Sequence, residues 1–592
     1  MRLLVHVLTL ALLFALLPLP SYAGLTEASP PLQEDAFIAP PPRVAGLAGN
    51  GSTPRGLSQY MAGDIAVRLL LPESDGSIDP SIEDWTPDQI EAVRTQVQAA
   101  LDWWAAQLPL ARLRFQLVVE VAPTGYEPIR YSVSDEGLWI SDVLGRLGFD
   151  GPSYFDQAYA AAEALRDETG ADWATTLFVV NSANYSSGFF PDGRFAYAYI
   201  NGPFLVLTSD AGSYGTRRMA AIAAHEFGHI FGALDQYAAA RISCDRRSGY
   251  LDIPNSNSVY GRCGAGTPSI MLEPNGAFAA GLIDQSALHQ VGYRDSDGDG
   301  LIDPLDTQPV LLLSETASTA ADGRPVLEGH ASELPLPAPY QIGVTLNHVA
   351  TVEYRVDGGP WSPALASDGA FDSVEERFSA ELPLYDGSYT VELRAVNSAG
   401  NASTPVVRQI AVNGVGPQPT YGVTAPPLVN STDVALTLEA PTGTVEVQVS
   451  QETSFHDAPW QPYTPELHAT IIGEGEHTLY ARFRDAAGLV SLPYAASFTV
   501  DTVPPHGSAI RDATNMARVL LSASDEGSGV EEVALQVGDG APLWVPYTPS
   551  VQLPQAPSDE TVSVQFRDAA GNLSPRYTAE TGYSVMLPLL AR

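Results

Sequence analysis

The stretch HEFGHIFGALD, His225 to Asp235, follows a run of good helix formers, TRRMAAIAA, from Thr216 to Ala224. On a helix, residues four apart share a face, so His225 and His229 point the same way with Glu226 one step round. Two imidazoles at that spacing can hold one zinc ion, and the glutamate between them can act on a water at the metal. Gly232 permits the left-handed turn that ends the helix. That turn swings Asp235 back toward the imidazoles as a third ligand. Three protein ligands leave a fourth position for water, the mark of a catalytic rather than a structural site.

Outward from this helix the chain alternates. DIAVRLLLPES from Asp64 reads as a strand. TPDQIEAVRTQVQAALDWWAAQL reads as a long helix with Thr86 as its cap and Pro87 in its first position. LRFQLVVEVAP is a second strand, SYFDQAYAAAEALRDETG a helix, and TTLFVVNSA and YAYINGPFLVLT two more strands. A further helix is expected around Leu282 to Gln290. The alternation predicts an α/β (α+β) domain over residues 63–293.

With these residues in view, the region from Gly63 to Tyr293 resembles the metzincin zinc peptidases, whose pattern is HExxHxxGxxH followed by a Met-turn. Asp235 stands where most of that clan has a third histidine, a ligand set similar to the snapalysin type. The resemblance implies His225, His229 and Asp235 as zinc ligands and Glu226 as general base and acid. It also implies Met271, in SIM (Ser269 to Met271), as an apolar floor beneath the metal, and an edge strand within Ala196 to Thr208 that binds substrate in extended form. Many members carry a tyrosine two residues after that methionine. Here the place is Glu273, which leaves Tyr237 and Tyr260 as candidates for stabilising an oxyanion.

Next comes RDSDGDGLIDPLDTQP, residues 294–309. Asp295, Asp297, Asp299, Asp303 and Asp306 occupy the first, third, fifth, ninth and twelfth places of a calcium loop, with the backbone of Leu301 at the seventh and Gly300 at the turn. Pro304 blocks the exit helix of an EF-hand, and the loop resembles a single thrombospondin type 3 repeat. Beyond it, three segments repeat a strand, a turn, a tryptophan (Trp361, Trp460, Trp544), a second strand and an AG turn. They predict tandem all-β sandwiches over 310–413, 420–501 and 504–586, similar to bacterial Ig-like modules. Each tryptophan reads most simply as core packing.

Residues 1–23 read as a secretory signal peptide: Arg2, a long apolar run, and small residues at Ser21 and Ala23. Residues 24–62 read as a Pro/Gly-rich leader. The chain has 592 residues, 45% hydrophobic, too many for one core. Its net charge of −39 repels nucleic acid and anionic membranes. No stretch beyond the signal is long and apolar enough to span a bilayer. Cys244 and Cys263, the two cysteines, are expected to pair in an oxidising compartment.

The expected protein is a secreted, monomeric zinc endopeptidase acting on protein or peptide substrates. Its Ig-like modules are candidates for binding a surface protein or carbohydrate. The competing reading is a non-catalytic surface adhesion or scaffold protein with a metal-stabilised fold. Against it stands Glu226, which a purely structural metal site does not need. Metal analysis of the mature chain is expected to find about one zinc from the histidine site and about one calcium from the aspartate loop.

Overall fold

The computed structural model describes residues 56–582, apart from 186, 211–213, 262–265, 316 and 555–559. The stretches expected to be a signal peptide (1–23) and most of the expected leader (24–62) lie outside the described residues. The chain divides into two compact units, one reaching Leu305 and taking in Pro335–Leu346, the other comprising Asp306–Leu334 and the chain from Asn347 onward.

The first unit is built on a five-stranded sheet: β1 (Asp64–Ser74), β2 (Arg114–Thr124), β3 (Trp173–Val180), β4 (Ala196–Ala198) and β5 (Phe204–Thr208), in the order β2-β1-β3-β5-β4. All neighbours are parallel except β4, which runs antiparallel to β5 at one edge. Strand side chains alternate between faces, and β1 shows the consequence. Ile65, Val67, Leu69 and Leu71 join a core with α1 (Pro87–Gln107) and α4 (Met219–Ile230). Leu70 faces α2 (Glu136–Arg146) and α3 (Tyr154–Thr169) on the other side. Helix α1 starts at a capping box between Thr86 and Gln89. Two short helices follow α4: α5 (Pro274–Ala280) and α6 (Gln285–Gln290), capped by Glu273 and Asp284.

Several expectations need adjustment. The single strand expected from Tyr197 to Thr208 is two, because Asn201 adopts φ 53° and Pro203 has no N–H to give to a ladder. Helix α2 was not expected; its stretch EGLWISDVLGR has glycines at both ends that mask the periodicity. The leader ends earlier than residue 62. Tyr60 and Met61 are fully buried, Met61 N–H donates to Val291 O at 2.8 Å, and Trp173 donates to Ala62 O at 2.8 Å.

The second unit holds three β-sandwiches, each a pair of sheets closed over its own core. Their strands run from Val310 to Val412, from Gly422 to Val500 and from His506 to Gly582. The repeated tryptophans are half-buried rather than central. Each lies under an arginine of the second strand: Arg394 at 4.2 Å from the Trp361 ring, Arg484 at 4.2 Å from Trp460, and Arg567 at 4.4 Å from Trp544. The same arginines pair with Glu353, Glu446 and Glu532. The ring face is thereby occupied by a cation. No helix among the described residues is long and apolar enough to cross a membrane.

In the first unit, Glu127 accepts backbone N–H groups of Ile82 and Glu83 at 3.0 and 3.3 Å and pins the loop ahead of α1. Burial pushes its carboxyl from the ordinary 4.5 up to about 7, against the pull of those N–H groups. A raised folded-state value means that stability is full below the unfolded value and is lost as pH rises through about 7. Glu127→Gln is expected to flatten that loss. Thermal unfolding from pH 5 to pH 8 should show the wild type falling relative to the variant.

Candidate metal centre

Helix α4 is buried along its whole length, which its composition of alanine, isoleucine and phenylalanine allows. It is fixed by α1, where Trp104 donates its indole N–H to Ala224 O at 2.9 Å. His225 and His229 lie on one face with ring centroids 4.9 Å apart and planes at 87°. After Ile230 the backbone turns at Gly232, whose φ is +95°. A Cβ there would stand 2.7 Å from Gly249 Cα, so both the bend and the close approach require glycine.

Beyond the bend the chain is held by polar side chains. Gln290 accepts Leu234 N–H at 2.9 Å, and Asn255 donates to Asp235 O at 2.8 Å. Gln236 N–H donates to Met271 O at 3.0 Å, and its amide donates to Asp284 at 2.6 Å. These fastenings turn the Asp235 carboxylate onto the histidines. Its Oδ1 lies 3.0 Å from His225 Nε2 and 3.3 Å from His229 Nε2.

The other ring nitrogens settle which atoms carry protons. His225 Nδ1 meets Ile270 O at 2.9 Å, and His229 Nδ1 meets Ala233 O at 2.7 Å. A carbonyl only accepts, so each Nδ1 must donate. In the neutral rings each Nε2 then presents a lone pair. Asp235 Oδ1 is buried and accepts no hydrogen bond of good geometry. Three acceptor atoms thus converge with no donor among them. Such a group fits a divalent cation, and the backbone carbonyls orient the rings as carbonyls do around histidine-ligated metals. Without a cation a proton takes the same place. Burial alone would lower the His225 pKa and raise that of Asp235, yet their attraction reverses both, raising the histidine and holding the carboxyl well below its usual range.

His225, Glu226, His229 and Asp235 are each 5% exposed. The Met271 side chain packs against helix α4 at Gly228, where a Cβ would stand 3.1 Å from its sulfur. Ser269, which opens that turn, is tied to Asp284 at 3.0 Å. Glu273 caps α5 instead of approaching the histidines. The Tyr237 ring is 6.4 Å from that of His225, while Tyr260 is 41% exposed. Asn201, three residues beyond the end of β4, donates its N–H to His229 O at 3.1 Å, so the sheet edge runs beside helix α4. A cleft of about 670 Å³, lined by Ile200, Asn201, Arg246, Gly249 and Tyr340, borders the bend.

The sequence pattern did not point to Asn255, Gln290 or Asp284. Their partners lie at least 20 residues away along the chain, or in a separate turn, and leave no periodic signal. In the aspartate loop, Asp295, Asp297 and Asp299 come together. Leu301 N–H donates to Asp299 at 2.8 Å. Asp303 instead pairs with Arg294 and accepts from Ser296, and Asp306 accepts from Asn401 at 2.7 Å in the second unit. The five aspartates therefore do not form one shell. Cys244 is disulfide-bonded; Cys263 lies outside the described residues.

No protein-family model matches the chain, and no curated protein does. Solved structures similar to it include fibronectin-III-like all-β modules. The fibronectin(III)-like modules of Clostridium thermocellum CbhA share 15% identity over 28% of this chain and 95% of theirs, with a TM-score of 0.19. The FN1–FN3 domains of chicken CNTN1 share 12% over 46% of this chain and 96% of theirs, at 0.20. Bacteroides ovatus SGBP-B, in complex with a mixed-linkage heptasaccharide, shares 15% over 46% of this chain and 71% of its own, at 0.14. None of these scores reaches 0.5, so the description of the sandwiches rests on their own strand pairing.

Gly232→Ala forces the bend into strain and against Gly249. It is expected to cost about 1–3 kcal/mol of stability and to reduce bound metal, read by thermal unfolding and by metal analysis of the purified variant.

Proposed function

We propose that the first unit is a zinc-dependent endopeptidase of the metzincin type, exported by its signal peptide, with the sandwiches as appended modules. The observation that supports this most is the convergence of three buried acceptor atoms beside an acidic residue, Glu226, that is not one of them. His225, His229 and Asp235 would hold the zinc. Bound zinc supplies a Lewis acid and lowers the pKa of a water from 15.7 toward ~7.

The chain's own residues then have distinct tasks. Glu226 takes the proton of the attacking water and passes it to the leaving amine. The outer edge of β4 offers backbone N–H and C=O groups to an extended peptide, as unpaired sheet edges do. Tyr237, beside His225, is the better placed of the two tyrosines to donate to the developing oxyanion. Asp235 in place of a third histidine brings negative charge to the metal, so a weaker Lewis acid is expected than with three imidazoles. Asp295, Asp297 and Asp299 would hold calcium through their carboxylate oxygens.

Casein cleavage by the purified chain tests the reading. Glu226→Ala is expected to retain zinc and to lose activity by about 10²–10⁴-fold, and a zinc chelator should abolish the activity. Wild type and variant that bind zinc and are equally inert would instead favour the adhesion reading.

A further inference from the structure

Three carboxylates close on one another at the joint between the second and third sandwiches. Asp501 directly follows the last strand of the second module, Tyr494–Val500. Asp525 directly follows the strand Asn515–Ser524, and Asp568 ends the strand Val562–Asp568. Each offers an oxygen within 4.8 Å of the others. Asp501 is 2% exposed and Asp568 0%.

Every hydrogen bond to this group comes from a neutral donor. Asp501 accepts from Val503 N–H at 3.2 Å and Ser528 N–H at 2.6 Å. Asp568 accepts from the backbone and amide nitrogens of Asn572 at 2.7 and 2.9 Å. Asp525 Oδ2 accepts from Gly527 and Gly529 N–H at 3.0 and 2.8 Å. Asp525 Oδ1 is sealed from solvent and accepts nothing. No lysine, arginine or histidine pairs with the three among the described residues; neighbouring Arg567 is turned to Glu532. Buried like charges with no counter-charge are unfavourable through both desolvation and mutual repulsion. The backbone nevertheless packs tightly onto them: a Cβ on Gly527 would lie 2.4 Å from the Asp501 carboxyl carbon.

The other two modules show what the same place looks like with fewer carboxylates. In the first, Asp306 precedes the module, Glu333 follows the strand Pro325–Ser332, and Asn397 ends the strand Gly387–Asn397. There an amide replaces the third carboxylate and donates to Glu333 at 3.3 Å, while Thr307 donates its hydroxyl to the same carboxylate. In the second module only Asp485 remains, and it accepts N–H groups of Ala487 and Leu489 at 2.9 Å. Only the third joint gathers three acids without adding a side-chain donor from outside its own turn.

We propose that Asp501, Asp525 and Asp568 bind one calcium ion that ties the second module to the third. An all-oxygen ligand set of hard carboxylates selects calcium over zinc. Oxygens up to 4.8 Å apart match about twice a Ca–O bond of 2.3–2.6 Å. Because Asp501 is contributed from one module and the other two ligands from the next, the ion stiffens the joint TVPP, residues 502–505.

The test uses the full mature chain. Calcium per chain is counted at equilibrium for wild type, Asp525→Asn and Asp568→Asn, the latter copying the first module's Asn397. Both variants are expected to bind one calcium fewer while keeping the calcium of the 295–299 loop. Calcium should slow proteolysis at 502–505 of the wild type by about tenfold or more and leave both variants unprotected. Asp297→Asn should lose calcium without losing that protection. A calcium count unchanged by both joint substitutions, in chains whose third module still unfolds cooperatively, overturns the proposal.

Discussion

Two imidazole nitrogens and a carboxylate oxygen, all acceptors, face one another at 3.0 and 3.3 Å on buried side chains. No hydrogen bond among the three relieves that arrangement once each ring's proton is committed to a backbone carbonyl. It is held by restraint from every side. Gly232 supplies the bend, Asn255 and Gln290 hold the chain after it, and Trp104 fixes the helix before it. Remove the restraint and the carboxylate swings away; keep it and the group waits for a cation or a proton.

The surroundings of that group follow from how the sheet partitions its two faces. The apolar residues of β1 that face α1 and α4 form one continuous core with the histidine helix, Met271 and the buried Tyr60. The opposite face carries a separate core, in which Glu136 accepts from Tyr154, Tyr197 and Tyr199. That buried acid is satisfied by three hydroxyls, whereas Asp235 Oδ1 is satisfied by none. Two buried carboxylates in one unit thus have opposite characters: one closes a network, the other leaves it open.

The sandwiches solve a related problem three times. In each, an arginine lies between a tryptophan face and a glutamate, so the repeated tryptophan serves as a lid over a charge pair. Exposed cation–π pairs contribute on the order of 0.5–1 kcal/mol each. At the turn closing the second strand, the modules differ in how many carboxylates they gather. That variation distinguishes a joint satisfied by amide and hydroxyl donors from one that calls for a cation.

Much of this was legible in the residues alone, because it is written in short-range periodicity. The four-residue spacing of His225 and His229, the glycine that allows a left-handed turn, the alternation of DIAVRLLLPES and the recurrence of tryptophan and AG turns each follow from local geometry. What needed the tertiary structure were pairings between residues remote along the chain. Asn255 reaches Asp235, Gln290 reaches Leu234, and Asp501 meets Asp525 and Asp568. The aspartate loop makes the same point in reverse: its spacing suggested one shell, but Arg294 and Asn401 take Asp303 and Asp306 for themselves. Spacing can put side chains on one face; only packing decides which of them finds another partner first.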